Sequence, residues 1–204
     1  MIGSGDNQPR ISQNLTARLV DNVILPGLAA LPTHQGLVLS GAASQEEFLD
    51  RAAKHFDNVT AAEARRGFAL VLAATFERHL RRWLFLAGTP SAGSMKFADL
   101  LEAGLARLTD ARRTPEMKAT LDELVLVGNV LRHGNGRSVT ALRAAAPDLW
   151  HDIPEEDHHW LERTYTYAEL MRVEMGHIRR YSNAILLFWG LADRLPGAAL
   201  DERY

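Results

Sequence analysis

The residues best suited to chemistry gather in one stretch, Leu124 to Ser138, which reads LVLVGNVLRHGNGRS. No acidic residue occurs between Glu123 and Asp148, whereas Arg132, His133, Arg137 and Arg143 all do. Asn129 and His133 stand four apart, so a helix puts them on one face. Arg132 lies about 100° around that helix from His133, three residues after Asn129. A histidine that titrates near neutrality can give or take a proton, and a guanidinium offers a planar fork of donors that fits phosphate or carboxylate. Ser138 reads as the N-cap of the next helix, whose free backbone N–H groups would form an anion seat. The chemistry implied is proton transfer beside a bound anion.

Each of these residues also has a plain structural use. His133 suits a helix C-terminus, where the dipole favours a cation. Asn129 suits a buried polar position bonded to backbone, and Arg132 a solvated face. Glu77, on an upstream helix, suits an i,i+4 pair with Arg81.

The elements that must hold these residues are helices. The eight prolines leave long proline-free windows at 33–89, 91–114, 116–146 and 155–195, and those windows carry apolar residues at three- and four-residue spacing. The spacing predicts a helix near 12–30 interrupted by Pro26. Ser44-Gln-Glu-Glu47 is a capping box that opens a helix through about Asp57. Thr60-Ala-Ala-Glu63 repeats the pattern and opens, or continues into, a helix to about Ala87 with the stripe Phe68, Leu72, Phe76, Leu80 and Trp83. Further helices are expected at 94–108, at 115–133 behind a Thr114 cap, at 138–146 and at 166–194, with an acidic, histidine-bearing connection between 147 and 163. Gly36 to Gly41 is a β-like run without a partner. Short connections between long helices imply an all-α, antiparallel helical bundle. The domain organisation expected is an N-terminal extension with one interrupted helix (1–43), a helical bundle (44–196) and a C-terminal tail (197–204).

Composition removes several classes of function. The chain has 204 residues and no cysteine, which excludes disulfides, thiolate metal sites and cysteine nucleophiles. Net charge is −2 and the pI about 6.4, so the whole chain is not an indiscriminate polyanion binder. Of 23 basic residues only three are lysines, Lys54, Lys96 and Lys118. That bias suits a coding preference for arginine first, and a phosphate-bearing partner second. The longest uncharged apolar run, Tyr181 to Ala192, is too short to span a bilayer, and the N-terminus carries no leader pattern. The expectation is a soluble, cytoplasmic protein without a membrane partner. His151 to His159 holds several metal-ligating side chains in no defined spacing, and the Glu174/His177 step lacks the second step that a di-metal bundle needs. No metal and no cofactor are expected, and no nucleotide-binding or hydrolase motif is present.

The 124–138 stretch resembles the signature helix of the HEPN superfamily, in which an arginine, a polar residue, a short spacer and a histidine follow one another. Asn129 matches the polar slot, His133 the histidine, and Gly134-Asn135-Gly136 the exit of the motif. Phe68 to Arg81 is similar to an early helix of that superfamily that often carries a glutamate facing the site, here Glu77. The likeness covers roughly residues 60–192. Gly128 stands where the motif arginine is expected, and Arg132 sits on the adjacent ridge.

The resemblance implies a compact, HEPN-like bundle and frequent homodimerisation that pairs two motifs. It often accompanies metal-independent RNA cleavage in a toxin–antitoxin or phage-defence setting, with an antitoxin or defence-system protein as partner. Other members only bind. In cleavage a ribose 2′-OH attacks the neighbouring phosphate, so His133 would be the acid/base and Arg132 or Arg137 the phosphate clamp. Asn129 would orient substrate or histidine, and Glu77 would orient a motif residue. Arg137, Ser138 and Arg143 would contact RNA phosphates. The alternative is a non-catalytic module that dimerises and binds RNA, nucleotide or a protein through the same surface. Gly128 favours that alternative.

Overall fold

The computed structural model describes residues 7–37, 41–108, 115–150, 166–200 and 203–204. Helix α1 (Gln8–Leu19) begins earlier than its stripe suggests, because Pro9 sits in its first turn, where a missing N–H costs nothing. It continues through a π-helical turn, Val20–Ile24, into α2 (Leu25–Ala29). Pro26 cannot donate to the preceding turn, and the wide turn falls where that bond is lost, with the Leu25 N–H reaching back to the Val20 carbonyl.

Helix α3 (Gln45–Leu86) is 42 residues long. Ser44 caps it, its Oγ accepting the Glu47 N–H at 3.1 Å, while the Glu47 carboxylate accepts the Ala43 N–H at 2.7 Å. Thr60 opens no second helix; the chain runs straight through it. Among the residues of α3 none before Ala61 is buried, so the first half stands clear of the core. The second half buries Ala69, Leu72, Ala73, Phe76, Leu80 and Trp83. It ends at Gly88, whose φ of 84° is a left-handed turn, and Arg107 closes the end by donating to the Ala87 carbonyl at 3.0 Å and Thr89 Oγ1 at 2.8 Å.

A 3-10 turn, Pro90–Gly93, leads to α4 (Phe97–Leu105). Then follow α5 (Pro115–His133), α6 (Arg137–Ala145), a short 3-10 turn at Pro147–Leu149, α7 (Tyr167–Leu170) and α8 (Met175–Ala192). Helices α1 and α8 run antiparallel: Arg10 Nε meets Asp193 Oδ2 at 2.7 Å, and Gln13 Nε2 donates to the Leu186 carbonyl at 2.9 Å. Val20, Ile24 and Leu28 from the N-terminal segment are buried in the same core as α3, α5 and α8.

The fold is all-α. Among the described residues β-type pairing is limited to an isolated bridge between Trp150 and Met171, and no helix is long and apolar enough to cross a membrane. The core centres on Phe76, Trp83, Phe97, Phe188 and Trp189, whose rings meet edge to face. That geometry fixes rotation as well as burial, and so fixes the direction in which Glu77, beside Phe76, leaves α3. The Thr114 cap, part of the Gly36–Gly41 run and the His151–His159 stretch lie outside the described residues.

Candidate functional site

The site is built on the contact between α3 and α5. Gly128 is buried, and a Cβ added there would lie 3.0 Å from the Cβ of Ala73. Glycine is what allows the two helices to come this close. One turn beyond each contact residue stand Glu77 on α3 and Arg132 on α5, and Arg132 Nη2 pairs with Glu77 Oε2 at 2.8 Å. The other carboxylate oxygen, Oε1, accepts from Arg81 Nη2 at 2.9 Å. Arg81 Nη1 donates in turn to the carbonyls of Ala92 at 2.6 Å and Gly93 at 2.9 Å.

Glu77, only 18% exposed, thus bridges guanidinium groups from two helices and, through Arg81, anchors the Pro90–Gly93 turn. One carboxylate against two guanidiniums leaves a net positive charge, and the pair with Glu77 engages Arg132 through Nη2 alone of its donor nitrogens. Partial burial limits screening of this cluster compared with an ordinary surface pair.

The arginine slot of the motif is filled by packing. A side chain at Gly128 would enter the core between Ala73 and, at 4.0 Å, the ring of Phe97, where a guanidinium would lose its water. Arg132 reaches the surface instead. His133 is the last residue of α5 and is exposed, and its ring makes no hydrogen bond or ion pair among the described residues. Asn129 is half-buried. No hydrogen bond or ion pair among the described residues joins Asn129 or His133 to Glu77 or Arg132.

The connection to α6 corrects the expected cap. Gly136, at φ 130°, is the N-cap, and no side chain caps this helix. Arg137 is therefore the first helical residue and Ser138 the second, so Ser138 lies inside the helix rather than at its cap. The turn geometry decides this, because only glycine takes such a φ without strain. Arg137 is exposed. Arg143 stacks its guanidinium over Tyr167 at 4.9 Å and Trp150 at 5.2 Å from the ring centroids, an aromatic seat of cation–π type.

Glu174 and His177 form the capping box of α8. His177 Nδ1 accepts the Glu174 N–H at 2.9 Å, and Nε2 lies 3.0 Å from Asp148 Oδ2. That contact holds the Asp148 carboxyl below its usual range. Among the described residues no group of three or more metal-ligating side chains is placed to hold an ion.

Two clusters escape a search for motifs. The first is a groove of about 380 Å³ lined by Arg78, Arg81, Arg82, Phe85 and Gly93. Its signal is compositional: from Ala64 to Ala98 Glu77 is the single acidic residue, against Arg65, Arg66, Arg78, Arg81, Arg82 and Lys96. The second is Glu123, whose Oε1 accepts from the Tyr181 hydroxyl and from Arg180 Nη2 at 2.6 Å. Burial first, then the charge of Glu123, pushes the Tyr181 phenol well above its usual range. Tyr181 and Glu123 are buried in this cluster, while Arg180 stays 44% exposed and lines a groove with Arg179, Asn183 and Tyr204.

Comparison of the chain with protein-family models, with curated proteins and with solved structures finds no match.

Proposed function

We propose that this is an HEPN-like helical protein that binds RNA through the face on which Glu77 holds Arg81 and Arg132. The observation that carries the reading is that one partly buried carboxylate orients two guanidiniums from different helices, at 2.9 and 2.8 Å. A phosphate meeting that face finds cations already placed, so less side-chain entropy is lost on binding. The expected result is RNA binding with a steep salt dependence, and Arg132→Gln lowers both the affinity and the log–log salt slope, the latter by about 0.7–0.9 for each phosphate that is no longer neutralised. Absence of RNA binding at low salt, or a slope unchanged in Arg132→Gln, overturns the reading.

A second reading, RNA cleavage by a toxin-type effector in a toxin–antitoxin or phage-defence setting, is favoured by the exposed and unengaged ring of His133. In it His133 moves the proton of the attacking 2′-OH, Arg132 neutralises the phosphate, and a homodimer brings two copies of 128–138 into one cleft. Cleavage then persists in chelator and stops on a 2′-deoxy substrate. His133→Ala slows it by ~10²–10⁴-fold. RNA bound and left intact by the wild type decides for the binding module.

A further inference from the structure

We infer that the groove beside Phe85 is a stacking platform for an unpaired nucleobase, making the RNA substrate single-stranded at this point. The inference rests on the RNA-binding reading above and specifies its ligand. Phe85 is 59% exposed, on the last turn of α3, where a large apolar ring gains nothing from the core. Arg78, Arg82 and Phe85 follow at i, i+4 and i+7, so they share one helix face.

The charges here are not explained by local structure. The negative end of α3 is already met by Arg107, which bonds the Ala87 carbonyl. Arg82 makes no hydrogen bond or ion pair among the described residues, and Arg78 reaches only Thr75 Oγ1 at 3.0 Å. No carboxylate other than Glu77 occurs on this stretch, and Glu77 is occupied by Arg81 and Arg132.

The shape of the groove is set by the same network. Arg81 holds the opposite wall through the Ala92 and Gly93 carbonyls. At Gly93 that wall is bare: an added Cβ meets no atom within 4 Å. An aromatic face, an open wall opposite and unpaired guanidiniums alongside are the components of single-strand recognition, in which stacking and backbone charge add without reading sequence. A duplex keeps its bases stacked on one another and cannot offer one to Phe85.

The test is fluorescence anisotropy with a labelled single-stranded RNA oligomer and a hairpin of the same composition, over a salt series. The single strand binds more tightly than the hairpin stem. Phe85→Ala weakens single-strand binding roughly 5–150-fold, the range for losing one base–aromatic stack, and leaves the salt slope unchanged. Phe85→Trp restores binding and Phe85→Leu does not, because stacking needs a π face and mere apolar contact does not suffice. Arg82→Gln lowers the slope by about 0.7. Gly93→Leu, which fills the groove without touching a charge, weakens binding. Lys54→Gln, about 36 Å up the same helix from Arg78, changes nothing.

Binding that survives Phe85→Ala, or is equal for Phe85→Leu and wild type, or prefers the hairpin, overturns the stacking inference while the RNA-binding reading stands. A wild type that binds neither RNA overturns both.

Discussion

Gly128 joins the packing of this protein to its candidate site, and replacing it tests both. The Ala73 Cβ would stand 3.0 Å from a new Cβ at 128, whereas carbon atoms in contact prefer about 3.5–4.0 Å. Gly128→Ala therefore pushes α5 outward by ~0.5–1 Å. Overpacking of that kind costs ~1–3 kcal/mol, and the better helix propensity of alanine returns about 1 kcal/mol, so the net loss is ~0–2 kcal/mol. Gly128→Arg, which writes the motif arginine into its expected slot, has no such compensation. It adds a long side chain to a filled core and a charge with no partner beside Ala73 and Phe97, a penalty of several kcal/mol. Against a total stability of ~5–15 kcal/mol, this loss takes a large share and lowers the urea midpoint sharply.

Urea unfolding followed by far-UV circular dichroism and tryptophan fluorescence reads these losses. The double variant Ala73→Gly/Gly128→Ala moves the same methyl across the contact, and its loss is smaller than the sum of the two single losses by ~0.5–3 kcal/mol, as expected of residues in contact. A Gly128→Arg protein that unfolds at the wild-type urea concentration refutes the reasoning. It would mean that residue 128 does not face α3 and that Arg132 is not held out to the surface by this contact.

Two other outcomes follow from buried groups. His79 is half-buried, with Nδ1 unbonded among the described residues, and burial first, then Arg78 and Arg82, holds its pKa below the usual value. The unfolded chain therefore takes up this proton first, so stability is lost as the pH falls from about 6.5 through the lower folded value; urea midpoints at pH 7.5 and 5.5 measure it, His79→Phe shrinks the drop, and an equal drop in that variant rejects the assignment. At Glu123 one carboxylate oxygen serves two donors in different surroundings. Tyr181→Phe, at a fully buried ring, leaves the carboxylate its Arg180 partner and costs ~1.5–3 kcal/mol, while Arg180→Ala takes the paired cation from a carboxylate only 8% exposed and costs at least as much, up to ~3–5 kcal/mol; a loss under ~1 kcal/mol for Arg180→Ala in urea unfolding contradicts that ordering.

What the sequence makes legible here is local. The Ser44 cap and the Gly134-Asn135-Gly136 stop are read from residue types alone, because each is satisfied within a few residues. The passage of α3 through Thr60 stays open in the sequence: a good cap residue followed by glutamate is also a tolerable helix interior, and no proline intervenes to decide. Ser138 misleads for a related reason. Its side chain suits a cap, but Gly136 has the φ the turn requires, and the turn comes first in the chain.

The site is less legible because its contacts are tertiary. Glu77 and Arg132 are each visible as polar residues on amphipathic helices, yet nothing local shows that α3 and α5 meet at Ala73 and Gly128. Glu123 and Tyr181 are 58 residues apart, and neither lies in a motif. The groove residues Arg78, Arg82 and Phe85 go unremarked because each has an ordinary use on a helix surface, and only their meeting with Gly93 in one groove sets them apart.

Gly128 is the instructive case, since sequence and structure give it different meanings. Against a motif it is a missing cation. Against the fold it is a point of close approach between two helices, and one turn later a different arginine meets a carboxylate that also holds Arg81. For the two readings proposed above, the consequence is that binding and chemistry rest on different residues. The cations are held by a shared acid, so their positions are fixed before any ligand arrives, which favours recognition. The histidine at the helix end has no orienting partner within the described chain, and general acid–base catalysis depends on such orientation. Under the proposed RNA-binding reading one copy of the chain suffices, whereas the cleavage reading requires a further group to orient His133, from RNA or from a second copy. This asymmetry is why the arginine–glutamate bridge, rather than the histidine, carries the functional reading.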